Sequence, residues 1–258
     1  MRPDELFDLS GKVAVITGGA GGIGTIYGRA LAEVGAAVVL ADVNAEAAQG
    51  AAEELASSGG ASAIGVAVDV TRAESAHAMA AAATEAFGGI DILVNNAAVM
   101  TDLPRFGLAD MPTEDWDRVI NVNLRGPLLC TQAVVPSMTE RGGGRIINGS
   151  SAGAFTRGGI YGVSKYALHG LTANLASELG GRGINVNAIA PGLVENESGY
   201  VSLPKDSPIR SALEAQIPGQ KSGPPDDLIG TLLLLCSKAG SWINGQTISV
   251  DGGWVMRL

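Results

Sequence analysis

Seven short apolar runs recur along the chain, and segments typical of helices separate most of them. The runs are KVAVITG (12–18), AAVVLAD (36–42), AIGVAVD (63–69), ILVNNAA (92–98), RIINGSS (145–151), INVNAIAPG (184–192) and QTISVDGG (246–253). Most are continuously apolar rather than alternating, which is typical of strands that are covered on both faces. Strands and helices in alternation predict an α/β fold, with a doubly wound parallel sheet of about seven strands and helices on both faces.

The segments between the runs carry the end signals of helices, because the first three end at or before a glycine. These are IGTIYGRALAEVGA, which ends at Gly35, AEAAQGAAEELASS, which ends before Gly59, and ESAHAMAAAATEAF, which ends before Gly88. Longer helices are predicted from about 113 to 140 and 160 to 180, and a last one from about 225 to 238. Since we find neither an internal repeat nor a linker, we predict one domain over residues 1–258.

One segment departs from the alternation of strands and helices. Residues 195–224, ENESGYVSLPKDSPIRSALEAQIPGQKSGP, are rich in Pro, Ser and charge. They follow the C-terminal end of a predicted strand, where α/β proteins bind ligands, so we predict a substrate loop or lid rather than a domain boundary. We interpret Glu195 and Glu197 as solvated loop charges, and Tyr200 and Met100 as candidates to line the pocket.

Composition excludes several classes of partner and compartment. The net charge of −9 argues against a nucleic-acid or anionic-membrane surface, since both require clusters of Lys and Arg. The start of the chain lacks the apolar core of a signal peptide, and no stretch approaches the roughly 18 uninterrupted apolar residues of a membrane span. We therefore expect a soluble cytoplasmic protein.

Cysteine and histidine give no sign of a metal site. Cys130 and Cys236 lie in apolar surroundings without metal-ligand spacing, which indicates buried reduced thiols. His77 and His169 are isolated on predicted helices, so we expect surface or helix-packing roles for both. No metal cofactor is predicted.

A glycine-rich turn, ITGGAGGIG, closes the first run and opens the first predicted helix. It satisfies two templates: Gly19, Gly21 and Gly24 match G-x-G-x-x-G, while Gly18, Gly22 and Gly24 match T-G-x-x-x-G-x-G. In either case no Cβ blocks the backbone, and free N–H groups at a helix N-terminus face a pyrophosphate. Its position between a strand and a helix favours a dinucleotide site in a Rossmann-type fold.

Asp42 ends the second run, 18 residues after Gly24. A carboxylate at this place accepts hydrogen bonds from both ribose hydroxyls and repels a 2′-phosphate. Neither the glycine turn nor the following VNAEAAQ contains Arg or Lys, so NAD(H) is favoured over NADP(H). The alternative is that Asp42 serves only as a helix cap or turn residue.

The sequence YGVSK places Tyr161 and Lys165 four residues apart, which puts both on one face of a helix. A phenol with its ordinary pKa of about 10 is a poor base at neutral pH. A nearby ammonium stabilises the phenolate and lowers that pKa. The spacing alone also occurs in many surface helices, so it does not by itself indicate a catalytic pair.

Taken together, the motifs resemble those of the short-chain dehydrogenase/reductase family from about Leu9 to Gly253. The matching segments are TGGAGGIG (17–24), Asp69 and Val70 in AVDV, NNAA (95–98), Asn123 in NVNLRG, the serines of INGSS, YGVSK (161–165), APG (190–192) and the terminal NGQTISVDGG. Their order along a single chain makes the resemblance specific.

The resemblance implies roles for the catalytic residues. Tyr161 is expected to be the general acid/base, and Lys165 to lower its pKa and to bind the nicotinamide ribose. Asn123 is expected to hold a water that links Lys165 to solvent. A serine near the end of the fifth run is expected to bind the substrate oxygen; we favour Ser151 over Ser150, because the count along the strand without gaps leads to it.

The resemblance also implies contacts to NAD(H) beyond the glycine turn (Gly18, Gly22, Gly24) and Asp42. Asp69 and Val70 resemble adenine contacts, and Asn95 and Ala97 lie where the family's chain passes the adenosine ribose. The positions that resemble contacts around the nicotinamide are Ile23, Pro191, Gly192 and Val194, together with Tyr161 and Lys165. Two departures stand out: Ala98 replaces a glycine of the family's NNAG, and Asn196 stands where a threonine is common.

These observations predict an NAD-dependent oxidoreductase that interconverts a secondary alcohol and a ketone of the steroid, cyclic, sugar or hydroxyacyl class. Two alternatives remain open: an NADPH-linked 3-oxoacyl thioester reductase, and a catalytically idle dinucleotide-binding regulatory subunit. The resemblance further implies a homotetramer or homodimer. We expect the protein to act on a small molecule and, from its net charge, to bind neither nucleic acid nor membrane.

Overall fold

The predicted runs form one seven-stranded sheet in the computed structural model of the chain, which confirms the α/β fold. The strands are β1 (Val13–Thr17), β2 (Ala37–Asp42), β3 (Ala63–Ala67), β4 (Ile92–Asn95), β5 (Gly144–Gly149), β6 (Ile184–Pro191) and β7 (Thr247–Val250). Their order is β3-β2-β1-β4-β5-β6-β7, and every neighbouring pair is parallel. The structure describes residues 2–59, 61–101, 107–156, 158–196, 199, 201, 203–219 and 221–256, so Glu197 and Tyr200 lie outside it.

Helices connect the strands and cover both faces of the sheet. They are α1 (Pro3–Phe7), α2 (Gly22–Glu33), α3 (Ala45–Gly59), α4 (Ala73–Phe87), α5 (Thr113–Ile120), α6 (Gly126–Glu140), α7 (Gly159–Leu179), α8 (Pro208–Glu214) and α9 (Ile229–Cys236). The helix predicted over 113–140 consists of α5 and α6 joined by a π-helical turn. The sequence analysis missed α1 and also α8, which lies inside the predicted lid.

Two hydrophobic clusters lie on opposite faces of the sheet. Leu93 of β4 packs in one cluster with Met138 of α6, whereas its neighbour Ile92 packs in the other with Leu31 of α2. Successive residues of a strand point to opposite faces, so both neighbours must be apolar when both faces are covered. This is why the runs in the sequence are continuous rather than alternating. Across the described residues no helix combines the length and apolarity needed to cross a bilayer.

The strand order reverses direction at β1. From β1 the chain adds β2 and β3 on one side and then returns to place β4 on the other. The helices that leave β1 and β4 therefore lie on opposite faces, and a crevice opens between the carboxyl ends of these strands. The glycine turn after β1 lies at this crevice.

Charged side chains form an ion cluster around Asp91 at the amino ends of the strands, opposite the glycine turn. Its carboxylate accepts hydrogen bonds from Lys12 Nζ at 2.9 Å, from Arg141 Nε at 3.0 Å and from the Val13 N–H at 3.0 Å. Burial of Asp91 opposes its ionisation, but these donors hold the pKa of its carboxyl below the ordinary value. The cluster fixes the chain just before β1 and β4 begin.

We expect Asp91→Asn to lower the free energy of unfolding by about 2 to 4 kcal/mol, because it breaks a buried charge cluster. The extra stability that the Asp91 carboxylate gives the wild type is present above its unfolded pKa of 3.8. It is lost as the pH falls through the lower pKa of Asp91 in the folded protein. Urea unfolding at several pH values measures it. Asp110→Asn, at an exposed position, is the control, and equal stability of the two variants would contradict the prediction.

Candidate active site at the carboxyl edge of the sheet

The glycine turn between β1 and α2 follows the second of the two templates. Gly18 and Gly22 have positive φ angles of 63° and 37°, where residues with a Cβ are strained. A Cβ on Gly24 would collide with the backbone of Gly18 and Gly19. Gly21, by contrast, has a φ of −118°, and a Cβ there would meet nothing within 4 Å. Gly18, Gly22 and Gly24 of the second template therefore all require glycine, whereas Gly21 of the first does not. Gly19 also requires it, because its Cβ would lie 2.8 Å from the Ile16 carbonyl oxygen.

The backbone after β4 passes directly over this turn. Ala97 donates its N–H to Thr17 Oγ1 at 3.2 Å, and its Cα lies 2.9 Å from the place that a Cβ of Gly18 would take. Asn96 Nδ2 donates to the carbonyls of Thr17 and Gly18. The carboxyl ends of β1 and β4 are thus held together with the glycine turn between them.

Asp42 lies at the end of β2, beside the glycine turn. Its Oδ2 accepts the Ala20 N–H at 3.3 Å, and its Oδ1 accepts the Asn44 N–H at 3.1 Å. The second contact is the turn role that the sequence analysis gave as the alternative. The Asp42 side chain is only partly buried.

Tyr161 and Lys165 lie one turn apart on α7, as their spacing predicts. Lys165 Nζ is 5.7 Å from the centroid of the Tyr161 ring and donates to the Gly149 carbonyl at 2.5 Å. Lys165 is only 3% exposed, so this carbonyl at the end of β5 holds a buried ammonium. The lysine thereby fixes α7 against the carboxyl end of the strand.

The pKa values of this pair differ from the sequence-based expectation. Burial lowers the pKa of Lys165 to about 8. Burial also raises the pKa of Tyr161 above its ordinary value, and the opposing effect comes from a hydrogen bond with Ser151 rather than from the ammonium. The sequence analysis expected the ammonium to lower the pKa of Tyr161, whereas burial of the phenol raises it.

The two serines after β5 point in different directions. Ser151 Oγ accepts the Gly153 N–H at 3.0 Å. A Cβ on Gly153 would lie 3.2 Å from Ser151 Oγ and 3.7 Å from the Tyr161 ring, so both side chains lie beside Gly153. Ser150 Oγ lies 2.6 Å from His169 Nε2, away from the phenol, and Ser150 is only 5% exposed. Of the two candidates, the structure brings Ser151 to Tyr161. The contact between Ser150 and His169 was not foreseen, although His169 follows Lys165 by four residues and so continues the same helical face.

Asn123 lies in the π-helical turn Asn121–Arg125 between α5 and α6, a distortion that is frequent at functional sites. The side chain is fully buried and accepts the Val99 N–H at 2.7 Å through Oδ1. Its Nδ2 donates to the Val99 carbonyl and to Ser164 Oγ, each at 3.1 Å. Since Ser164 Oγ donates to the Tyr161 carbonyl at 2.7 Å, Asn123 joins the loop after β4 to the tyrosine helix.

Three of the predicted adenosine contacts, Asp69, Val70 and Asn95, are hydrogen-bonded or buried within the protein. Asp69 accepts the hydroxyl and the N–H of Thr71, and these hydrogen bonds lower the pKa of Asp69. Val70 is buried, and Asn95 is buried as well. Asn95 Nδ2 donates to Asn148 Oδ1 at 2.9 Å, while its Oδ1 has no hydrogen-bond partner in the described part of the chain.

The chain after β6 crosses the glycine turn from the other side. Gly192 passes so close to Asp251 that a Cβ would lie 2.7 Å from its Cα. Asn196 follows, with Nδ2 only 3.3 Å from the place that a Cβ of Gly22 would take. Pro191, Val194 and Ile23 are partly buried around this crossing. The residues predicted around the nicotinamide therefore lie along one edge, beside the start of α2.

Hydrogen bonds join the two ends of segment 195–224, and others connect residues within it. Glu195 donates its N–H to the Gly223 carbonyl at 2.9 Å, and the Gly223 N–H donates to the Leu193 carbonyl at 2.9 Å. Within the segment, buried Arg210 donates to Glu214 Oε1 at 3.0 Å and to Ser222 Oγ at 2.6 Å. The segment thus begins and ends at one point beside the crevice.

Known oxidoreductases are similar to this chain over nearly its whole length. A family model described as enoyl-(acyl carrier protein) reductase matches residues 18–255. An uncharacterized oxidoreductase of Mycobacterium tuberculosis is 44% identical over 246 residues, which cover 95% of this chain and 98% of that protein. D-threitol dehydrogenase of Mycolicibacterium smegmatis is 39% identical over 254 residues, which cover 97% of this chain and 95% of that protein.

Two solved structures are similar over the whole length of both chains. A 7α-hydroxysteroid dehydrogenase complexed with NADH and 7-oxo glycochenodeoxycholic acid has a TM-score of 0.91, 34% identity and coverage of 100% of both chains. A gluconate 5-dehydrogenase from Burkholderia cenocepacia, in complex with NADP and tartrate, has a TM-score of 0.92, 34% identity and the same coverage. One of these two structures thus contains NADH, and the other contains NADP.

Two glycines of the turn provide a matched pair of variants. We expect Gly24→Ala to lower the free energy of unfolding by about 2 kcal/mol or more, because its Cβ meets backbone that cannot yield. Gly21→Ala is the control and is expected to cost less than about 1 kcal/mol, since it loses only a favourable helix cap residue. Urea unfolding measures both, and a Gly21 variant as unstable as the Gly24 variant would contradict the assignment of the turn.

Proposed function

The chain belongs to the short-chain dehydrogenase/reductase family, and we propose that it transfers a hydride between NAD(H) and a secondary alcohol/ketone pair. The observation that carries the proposal is the convergence of Ser151, Tyr161 and Lys165 at the carboxyl end of β5. A hydroxyl, a phenol and an ammonium there can bind, protonate and stabilise a reacting oxygen. The nicotinamide, when bound, supplies or accepts the hydride.

Tyr161 is the proposed general acid/base. Because burial raises the pKa of its phenol, the hydroxyl carries its proton at neutral pH and can give it to a carbonyl oxygen during reduction. In the reverse direction the phenolate accepts the proton of the alcohol, so oxidation is favoured as the pH rises. Ser151, which lies with Tyr161 beside Gly153, is proposed to hold the substrate oxygen next to the phenol.

Lys165 and Asn123 are proposed to support this proton transfer. With a pKa of about 8, the Lys165 side chain is mainly an ammonium at neutral pH. Because its Nζ lies 5.7 Å from the centroid of the Tyr161 ring, its charge is proposed to stabilise the phenolate that remains when Tyr161 has given its proton to the substrate. Its proposed partner is the nicotinamide ribose. Asn123, bound to Val99 and to Ser164, is proposed to hold the water through which Lys165 exchanges protons with solvent.

NAD(H) is proposed as the cofactor, with its pyrophosphate at the glycine turn. The turn fits this group, because α2 starts there with free N–H groups and without a Cβ at Gly22. The carboxylate of Asp42 lies beside the turn, where it repels a 2′-phosphate. Residues 17–24 and 43–49 contain no Lys or Arg that would bind such a phosphate. We also propose adenosine contacts at Asp69, Val70, Asn95 and Ala97.

The proposed substrate is a small secondary alcohol or its ketone. D-threitol dehydrogenase, gluconate 5-dehydrogenase and 7α-hydroxysteroid dehydrogenase are named for alcohols of very different shape, which supports the reaction class but leaves the substrate class broad. We propose that segment 195–224 forms the lid that selects among them. A second candidate is an NADPH-linked reductase of 3-oxoacyl thioesters. The description of the matching family model also names a reductase of acyl carrier protein thioesters, but one that acts on enoyl groups.

A homotetramer or homodimer is proposed for the assembly, in the cytoplasm. The support is an apolar groove on the long helices, lined by Ile120, Leu124, Leu128 and Leu171. Beside β7, the side chain of Trp242 is 99% exposed. Exposed apolar surfaces of this kind are typical of contacts between subunits.

We expect Tyr161→Phe to lower kcat by more than about 100-fold, the size of a lost general acid/base, while the Kd for NADH changes little. The assay follows absorbance of NADH with a panel of steroid, sugar, cyclic and 3-hydroxyacyl alcohols and their ketones. Tyr166→Phe is the matched control, because it removes an exposed phenol from the same helix. A Tyr161 variant that retains turnover would refute the assigned role, and a variant that retains a regulatory effect without turnover would favour the idle-subunit alternative.

Asp42 is expected to favour NADH over NADPH by at least about tenfold in Kd, because a 2′-phosphate meets its carboxylate. Asp42→Ala is expected to reduce this preference to less than about threefold. Calorimetric titration with both dinucleotides measures the ratio. Glu46→Gln, at an exposed position in the first turn of α3, tests whether general negative charge suffices. Tighter binding of NADPH by the wild type would instead support the thioester reductase.

A further inference from the structure

One side chain, His169, contacts both ends of the turn that carries Ser151. At the start of the turn, Ser150 Oγ lies 2.6 Å from His169 Nε2. At its end, the Phe155 ring stacks on the imidazole with centroids 4.8 Å apart and an angle of 29°. We term residues 150–155 the serine turn. It consists of Ser150 and Ser151, which follow β5, and of a 3₁₀ helix over Ala152–Phe155. Ser151 lies between these two attachments.

The hydrogen bond to Ser150 is sheltered from water. Ser150 is 5% exposed, and its Oγ also donates to the Lys165 carbonyl at 3.3 Å. A hydroxyl has a single proton, so a serine that donates to this carbonyl accepts the proton of His169 Nε2. The imidazole and the carbonyl of α7 together fix the rotamer of Ser150. They also fix the backbone from which Ser151 extends to the other side.

Aromatic contacts hold the far end of the serine turn. The centroid of the Tyr166 ring lies 5.6 Å from that of His169 and 6.5 Å from that of Phe155. The Tyr166 and Phe155 rings meet edge to face. Stacked and edge-to-face pairs of this kind contribute beyond the area that they bury. His169 and Tyr166 belong to α7, whereas Phe155 belongs to the serine turn. The cluster therefore attaches the turn to the helix that carries the catalytic tyrosine.

Three residues spaced by four, Tyr161, Lys165 and His169, lie along one face of α7. Tyr161 and Lys165 form the proposed catalytic pair. His169 contacts the serine turn, which carries Ser151 beside Tyr161. We propose that His169 is a positioning residue for the reaction, which fixes Ser151 relative to Tyr161 through Ser150 and Phe155. The proposal rests on the function proposed above.

Variants at position 169 separate the two attachments. His169→Ala removes both, His169→Phe keeps an aromatic ring without the hydrogen bond, and His169→Gln keeps a side-chain donor. In alcohol oxidation we expect the Ala and Phe variants to lose about tenfold in kcat, as for a lost hydrogen bond, with Kd for NADH within about twofold of wild type. The Gln variant is expected to recover most of the loss. His77→Ala, which removes an exposed imidazole from α4, is the control and is expected to leave activity unchanged.

The pH profile distinguishes positioning from packing. The Ser151 hydrogen bond lowers the pKa of Tyr161, so its weakening is expected to move the rising limb of alcohol oxidation to higher pH. A loss of stability alone reduces the active fraction without moving this limb. Wild-type kcat and pH profile in His169→Ala would overturn the proposal. Equal losses in the Ala and Gln variants with an unmoved limb would overturn it as well.

A readout without turnover separates this proposal from the proposed function. Carbon-13 NMR of tyrosine-labelled protein follows the ionisation of Tyr161, with Tyr161→Phe used to assign its signal. We expect His169→Ala to raise the titration midpoint and His77→Ala to leave it unchanged. If the wild type reduces no ketone but the midpoint depends on His169, the proposed function fails while the positioning role stands. Should His169→Ala not fold, Ser150→Ala removes the same hydrogen bond and must give the same shift; an unmoved midpoint overturns the proposal.

Discussion

A buried ammonium held by a strand carbonyl is the contact on which the candidate site depends. Lys165 is almost fully buried and donates to Gly149 at the end of β5. Burial of a charge is costly unless the charge is hydrogen-bonded, so the ammonium keeps α7 in one position against the sheet. Because Tyr161 lies one turn earlier on α7, the same contact brings its phenol to Ser151. The contact that holds the ammonium therefore also determines the position of the phenol.

The parallel sheet supplies the rest of the site through its topology. All strands point the same way, so the glycine turn after β1, Asp42 at the end of β2 and the serine turn after β5 lie at the carboxyl ends of the strands. The reversal of strand order at β1 opens the crevice there. The opposite ends of the strands carry the Asp91 ion cluster. One edge thus carries the proposed chemistry, while the other contributes stability.

Sequence patterns predicted the elements well because continuous apolar runs leave few alternatives to a doubly covered parallel sheet. They also placed Tyr161 and Lys165 on one helical face, since helical geometry follows from spacing. The contact of Ser150 with His169 was not predictable, because it joins a strand end to a helix through tertiary packing. The direction of the Tyr161 pKa was missed for a related reason: desolvation depends on everything around the phenol, not on the lysine four residues away.

The central claim is that the tyrosine, the lysine and the glycine turn belong to one dinucleotide site. A crystal structure of the protein with NADH bound tests it most directly. The account predicts the pyrophosphate against Gly18–Gly24 and the nicotinamide ribose within hydrogen-bond distance of Tyr161 and Lys165. A dinucleotide bound elsewhere, or a Tyr161 hydroxyl turned away from the nicotinamide, would contradict it.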